Sequence, residues 1–272
     1  MPAERLDDGT ILAAPVGCRA VTKPILAGAE PYSVTGDTRG ALVLHGFTGN
    51  PQSMRGLALA LADAGFTVEM PLLPGHGTDV TDMVPTRWED WSGAAEAAYV
   101  DLAARSDAVV VVGLSMGGML AVWLAEHHPQ IAAIAVVNPI VAPPDADTLA
   151  FLQAMIDGGD ELAAGVGSDI AMEGVAESAY PELPLRATLS LFSAAAEVEE
   201  ALDSVSCPVL VFTSTQDHVV DPKSSELLVE RAKGPVEQVV LERSYHVATL
   251  DYDKDEIEAR TIEFLSGVLS AR

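Results

Sequence analysis

Ala108-Val109-Val110-Val111-Val112-Gly113-Leu114-Ser115-Met116-Gly117-Gly118-Met119-Leu120-Ala121 holds no charged residue and changes character halfway along. The burst Ala108–Val112 is β-branched and continuously apolar, the pattern of a strand covered on both faces. Met119–His128 continues as a buried helix. The uncharged run from Ala108 to Ala125 approaches the length of a membrane span, but a Gly-Leu-Ser-Met-Gly-Gly centre makes a poor lipid-facing helix, so the reading is strand, turn, helix. At that turn Gly113-Leu114-Ser115-Met116-Gly117 fits G-x-S-x-G, in which a serine sits on a sharp strand-to-helix bend and larger side chains two residues either way would clash. Ser115 is therefore the candidate nucleophile.

Further apolar bursts lie at Ala41–Leu44, Phe66–Met70, Ile131–Val137, Pro208–Thr213 and Gln238–Leu241. Helix-like segments fall between and after them, at Ser53–Ala64, Thr86–Ala104, Ser224–Lys233 and Lys254–Leu269. This alternation predicts an α/β fold, a mostly parallel doubly wound sheet. The rhythm fails between Pro139 and about Glu197, where prolines and glycines separate short helical pieces and no convincing strand is visible. The expected organisation is a core of residues 24–139 and 197–272, a small helical cap (lid) inserted over 140–196, and an irregular N-terminal extension over 1–23. Active sites of open parallel sheets lie at the carboxyl ends of the strands, so the cap is expected to sit there.

Composition narrows the function. The 272 residues include 49% hydrophobic and 20% charged, enough apolar surface for a packed core. With 40 acidic against 15 basic residues the net charge is −25, which repels nucleic acid and anionic lipid and favours a neutral or cationic small molecule. Two cysteines, Cys18 and Cys207, make neither a disulfide framework nor a metal cluster, and the acidic start MPAERLDD lacks a signal peptide's charge pattern; cytoplasmic residence is expected. No H-E-x-x-H, P-loop or strand-to-helix G-x-G-x-x-G occurs, so no metal or coenzyme is expected. The acidic clusters Glu197/Glu199/Glu200 and Asp251/Asp253/Asp255 lack calcium-loop spacing and read as solvated faces.

A serine hydroxyl needs a base and the base an orienting acid, in the chain order Ser, Asp/Glu, His for this arrangement. The segment Gln216-Asp217-His218-Val219-Val220-Asp221-Pro222 follows one strand and offers Asp217 or Asp221. Asp217 is favoured because it is nearer the strand end; Asp221 reads as a turn or helix cap. His246, in the loop after the last strand, is the base. An oxyanion hole takes one backbone N–H from the loop after the first clear strand and one from the residue after the nucleophile, which are Phe47 and Met116. His45 is expected to brace that loop, His76 to be structural and His218 to lie at the rim.

His45-Gly46-Phe47-Thr48-Gly49, Pro51-Gln52-Ser53-Met54-Arg55, Gly75-His76-Gly77-Thr78, the serine motif and the run Ser244-Tyr245-His246-Val247-Ala248-Thr249-Leu250-Asp251-Tyr252-Asp253 together resemble the bacterial monoacylglycerol lipases and their carboxylesterase relatives, from about Pro24 onward. The resemblance implies an α/β-hydrolase fold with a small cap over an acyl tunnel, and an esterase acting on monoacylglycerols and short-chain esters without metal or coenzyme. It matches nucleophile, acid and base to Ser115, Asp217 and His246, and the oxyanion amides to Phe47 and Met116. It also matches the glycerol-binding cap glutamate to Glu177 and a substrate-facing cap hydrophobe to Val166. The partners so implied are a neutral lipid ester and water, with the cap touching lipid only transiently and the protein a monomer or homodimer. An esterase indifferent to the alcohol is the nearer alternative. A non-catalytic binding protein of this fold is the distant one, and would be marked by a missing triad member. Because the base must be neutral, activity is expected to fall as pH drops through roughly 6–7, where an ordinary imidazole takes up a proton; a rate profile against pH on an intact fold checks this.

Overall fold

The computed structural model describes residues 23–271. Residues 1–22, which carry nearly all of the expected extension and Cys18, and residue 272 lie outside the described residues. The burst that opens the sequence reading is β4 (Ala108–Leu114), at the centre of a seven-stranded sheet. On one side it pairs in parallel with β2 (Arg39–Leu44), Leu44 opposite Gly113, and on the other with β5 (Ala133–Val137), Val137 opposite Leu114. β3 (Thr67–Met70) lies outside β2, while β8 (Val209–Ser214) and β9 (Val236–Leu241) extend the sheet beyond β5, all in parallel. β1 (Tyr32–Val34) runs antiparallel along β3 at the edge. It is three residues long, too short for a periodic signal, and the sequence reading omits it.

The strands read as unbroken apolar runs because both faces are covered. Leu42, Leu44, Val109, Val111, Ile134 and Val136 pack in one apolar cluster with α3 (Trp88–Ala103) and α4 (Met116–His127). Ala41, Val43, Val110, Val112, Ala135 and Val137 pack in the other, with α1 (Arg55–Asp63) and α8 (Lys254–Ser270). A short α2 (Val80–Met83) precedes α3. Helix α4 starts at Met116, three residues before the expected Met119, because the helix begins directly from the bend at Ser115.

The interval over the carboxyl ends of the strands holds α5 (Ala146–Asp157), β6 (Leu162–Ala164), β7 (Glu182–Pro184) and α6 (Leu185–Ala201). Contrary to the strand-free expectation, β6 and β7 form an antiparallel pair, Ala163 opposite Leu183. Three-residue strands separated by a long loop leave no alternation to detect. The boundary expected at 196/197 falls inside α6, which continues to Ala201 because no proline or glycine interrupts it. Its residues Ala187, Leu191, Ala194, Ala195 and Val198 join the same apolar cluster as α4. After β8, α7 (Lys223–Arg231) packs through Leu228 onto that cluster.

Two glycines make the bend between β4 and α4 possible by leaving space. A Cβ on Gly113 would stand 2.0 Å from the Gly117 carbonyl oxygen, and one on Gly117 would stand 2.1 Å from that of Leu44. Both obstacles are backbone and cannot swing away. Gly117→Ala is therefore expected to lower stability by about 1–3 kcal/mol or more. Gly267→Ala, in an exposed turn of α8 where nothing lies within 4 Å, should raise it by up to about 1 kcal/mol. Urea unfolding midpoints of the two variants check the contrast.

Candidate active site

Ser115 has φ 56° and ψ −116°, a left-handed backbone that a serine adopts only when its surroundings impose it. Here its N–H donates to Val137 O at 2.9 Å, and its carbonyl accepts from Met119 N–H at 3.0 Å and Ile140 N–H at 3.3 Å. The bend is thus tied to β5, to α4 and to the loop after β5. The loop after β2 passes directly over the serine, since the Cβ position of Gly46 lies only 3.5 Å from Ser115 Cβ.

His246 Nδ1 lies 2.7 Å from Asp217 Oδ2, and both side chains are buried. The other oxygen of Asp217 accepts from Val219 N–H and Val220 N–H, each at 2.8 Å, so the carboxylate is fixed by its own loop. Of the two candidate acids, the structure brings Asp217 to the imidazole. Asp221 is largely exposed and accepts from Lys223 N–H at 3.0 Å, forming the turn into α7. With Nδ1 engaged, Nε2 is the nitrogen of His246 left to exchange a proton.

Ser115 and His246 line one cavity of about 710 Å³ together with Gly46, Phe47, Glu177 and Val166. Its remaining wall is mainly apolar and includes Ile140, Leu191, Phe192, Val220 and Leu227. Phe47 is in the loop over the serine; Met116 is the first residue of α4, where a backbone N–H has no intrahelical acceptor and the helix dipole is positive. The loop beneath Phe47 is braced as expected of His45. Its Nε2 accepts from Leu73 N–H at 3.1 Å and its Nδ1 lies 3.0 Å from Gly46 O. Burial pushes His45 down to about 4 and His76, which also feels His45, down to about 3, so both rings are neutral near pH 7. Phe47, His76 and Trp91 meet edge to face, with Phe47 and Trp91 centroids 5.4 Å apart.

Glu177 reaches the cavity because both of its flanks are held. Its own N–H donates to Ser168 Oγ at 2.9 Å, Ser178 N–H donates to Gln52 Oε1 at 3.1 Å, and Asn50 Nδ2 donates to Ser178 O. Its Oε1 lies over Gly49, 2.5 Å from where a Cβ would be. Burial pushes this carboxyl up, while the neighbouring His246 and the Ser53 hydroxyl pull it down. Val166 is at the mouth and exposed. His218, expected at the rim, does not line the cavity; its ring is over half exposed and 2.8 Å from Asp169 Oδ1.

One expectation is overturned. Asp251 and Asp253 do not form a solvated face: both are buried, and only Asp255 of that cluster is exposed. Asp251 accepts four backbone N–H groups, from Ala171, Met172, Tyr245 and Tyr252, at 2.7 to 3.0 Å. Asp253 accepts from Ser244 N–H and Oγ and from Arg243 Nε. Burial raises the Asp253 carboxyl, but these donors outweigh it and hold the group below the usual range. Carboxylates with this many donors belong to turns folded around them, which charge counting along the chain does not reveal.

Two residues that the sequence reading passes over also hold the site. Asn138, at φ 44°, follows β5 and donates from Nδ2 to His246 O at 2.8 Å while its Oδ1 accepts from Ser214 N–H at 2.8 Å. A polar residue directly after a fully buried strand is the signal that would have found it. Tyr180 accepts from Thr78 N–H and donates to Gly75 O, both at 2.9 Å, pinning the segment before β7 to the loop after β3. Among the described residues no group of His, Cys, Asp and Glu has the arrangement of a metal site, and no helix is long and apolar enough to cross a membrane.

The fold and this constellation define a hydrolase of the α/β type, and the chain belongs to the alpha/beta hydrolase family, whose sequence pattern matches residues 41–260. It is 42% identical over 247 residues to the thermostable monoacylglycerol lipase of Bacillus sp. (strain H-257), covering 89% of this chain and 96% of that one. A carboxylesterase of Bacillus subtilis (strain 168) is 26% identical over 87% of this chain and 96% of its own. Among solved structures, a chain from the metagenome-derived lipolytic enzymes LipS and LipT superposes with a TM-score of 0.86 at 43% identity, covering 90% of this chain and all of that one.

Asp251→Ala removes one acceptor from four buried or half-buried N–H groups and is expected to cost about 2–4 kcal/mol. Urea unfolding followed by tryptophan fluorescence measures it.

Proposed function

We propose that the protein hydrolyses neutral carboxylic esters, monoacylglycerols foremost, through an acyl-enzyme. The observation that carries the reading is the 2.7 Å contact of His246 Nδ1 with Asp217, on a cavity shared with a serine held at a left-handed bend. In the proposed reaction His246 Nε2 takes the proton of Ser115 as its Oγ attacks the ester carbonyl. Asp217 keeps the imidazole in the required tautomer and stabilises the imidazolium. The N–H groups of Phe47 and Met116 receive the oxyanion, where preorganised amides stabilise charge without reorientation. His246 then protonates the departing alcohol, and a water deprotonated by the same nitrogen releases the acid.

The apolar wall from Ile140 to Leu227 supports a fatty acyl chain as the acid part. Glu177, on the wall of the cavity that Ser115 also lines, supports a polyol as the alcohol part, since one carboxyl can accept from two hydroxyls. Val166 at the mouth would pack on the chain. The relation to the Bacillus lipase at 42% identity supports the same substrate class. Transient lipid contact would fall to the cap, where Phe151 and Val166 are exposed. The relation to a carboxylesterase supports the second reading, an esterase indifferent to the alcohol.

Ser115→Ala is expected to reduce turnover by several orders of magnitude, about 10³-fold or more, and to abolish labelling by a fluorophosphonate probe. Appreciable esterase activity in that variant would remove the assignment. Glu177→Gln should lower the rate on 1-monolauroylglycerol relative to ethyl laurate. An unchanged ratio would favour the alcohol-indifferent esterase.

A further inference from the structure

We propose that Asp169, a residue of the cap, is a positioning residue for the base: its carboxylate locks the loop bearing His246 to the loop bearing Asp217. The inference rests on the triad reading above and adds to it a part supplied by the inserted segment. Asp169 Oδ2 accepts from His246 N–H at 3.0 Å and from His218 N–H, one residue past Asp217, at 3.1 Å. The same oxygen therefore ties both loops at the residues that matter. Asp169 Oδ1 lies 2.8 Å from His218 Nδ1, and the Asp169 carbonyl accepts from Val247 N–H at 3.1 Å. The Asp169 side chain is mostly buried, at 11% exposure, so its bond to His246 N–H is partly shielded from competing water, while the His218 ring on its outer side is exposed.

Direction matters here. His246 is gripped through its N–H by Asp169 and through its carbonyl by Asn138. With both ends of the residue fixed, the ring has little freedom other than the rotation that Asp217 restrains. The segment carrying Asp169 is itself held from the core, because Asp251, on the His246 loop, accepts from Ala171 N–H and Met172 N–H. Cap and base loop thus exchange carboxylates, each accepting the other's backbone. A cap fixed in this way is part of the site's framework at residues 169–172, whatever its outer helix does.

Geometry and charge can be separated by two substitutions. Asp169→Asn keeps an oxygen for the two N–H groups and turns an amide N–H toward His218 Nδ1, which accepts it in the tautomer protonated at Nε2, so it should retain most of the activity. Asp169→Glu keeps the charge but moves the acceptors by one methylene. It should lower kcat on a short p-nitrophenyl ester, and the rate of fluorophosphonate labelling at Ser115, by about 10- to 100-fold, with KM nearly unchanged. Asp169→Ala should behave as Asp169→Glu. If it does not fold, the Asn and Glu variants still decide. An active Glu variant, or an Asn variant as impaired as Glu, overturns the proposal. So does a change confined to KM or to thermal stability. Failure of the wild-type protein itself to react with the probe would instead remove the triad reading.

Discussion

The left-handed bend at Ser115 is the constraint from which the rest of the site follows. A non-glycine residue in that region costs about 1–3 kcal/mol and persists only where its surroundings over-determine it. β4 lies at the middle of the sheet with partners on both sides, so its end cannot drift. The two glycines around the serine let α4 turn back against the neighbouring strands at backbone-to-backbone distance. The same bend starts α4 at Met116 and places Ser115 on the cavity wall. Strain, helix start and the position of Ser115 are therefore one feature of the chain.

Around this fixed point the remaining groups come from loops, and loops must be held. Carboxylates that accept several backbone N–H groups do much of this. Asp217 holds its own turn, Asp251 and Asp253 hold the loop of His246, and Asp169 reaches from the segment between β6 and β7 to both. Each such bond is charge-assisted and so about twice as strong as a neutral one. Part of the chain's large acidic excess is therefore internal and serves turn geometry near the cavity.

How much of this was legible in the sequence varies with physical cause. Strands covered on both faces announce themselves by composition, so β2, β4, β5 and β8 were readable within two residues, and with them the parallel class. β1, β6 and β7 were not, because three residues carry no period. Ser115, Asp217 and His246 could be singled out because each follows a recognisable strand; the structure brings Asp217 to His246 and puts Ser115 and His246 on one cavity. Choosing Asp217 over Asp221 used the same distance-from-strand argument, and the imidazole contact lies at Asp217. Asp251 and Asp253 were misread because nothing local separates a carboxylate facing water from one that a turn has wrapped. Asp169 was passed over because its partners lie 49 and 77 residues away.

The buried imidazoles beneath the Phe47 loop have one more implication. His45 is an acceptor for Leu73 N–H, and a proton on that nitrogen would set two donors against each other. Since burial holds His45 down to about 4, this rupture waits until well below the range in which an exposed imidazole titrates. Mild acidification would thus leave the brace under the Phe47 loop in place. Only deeper acid, near the value to which burial holds His45, would open that hydrogen bond.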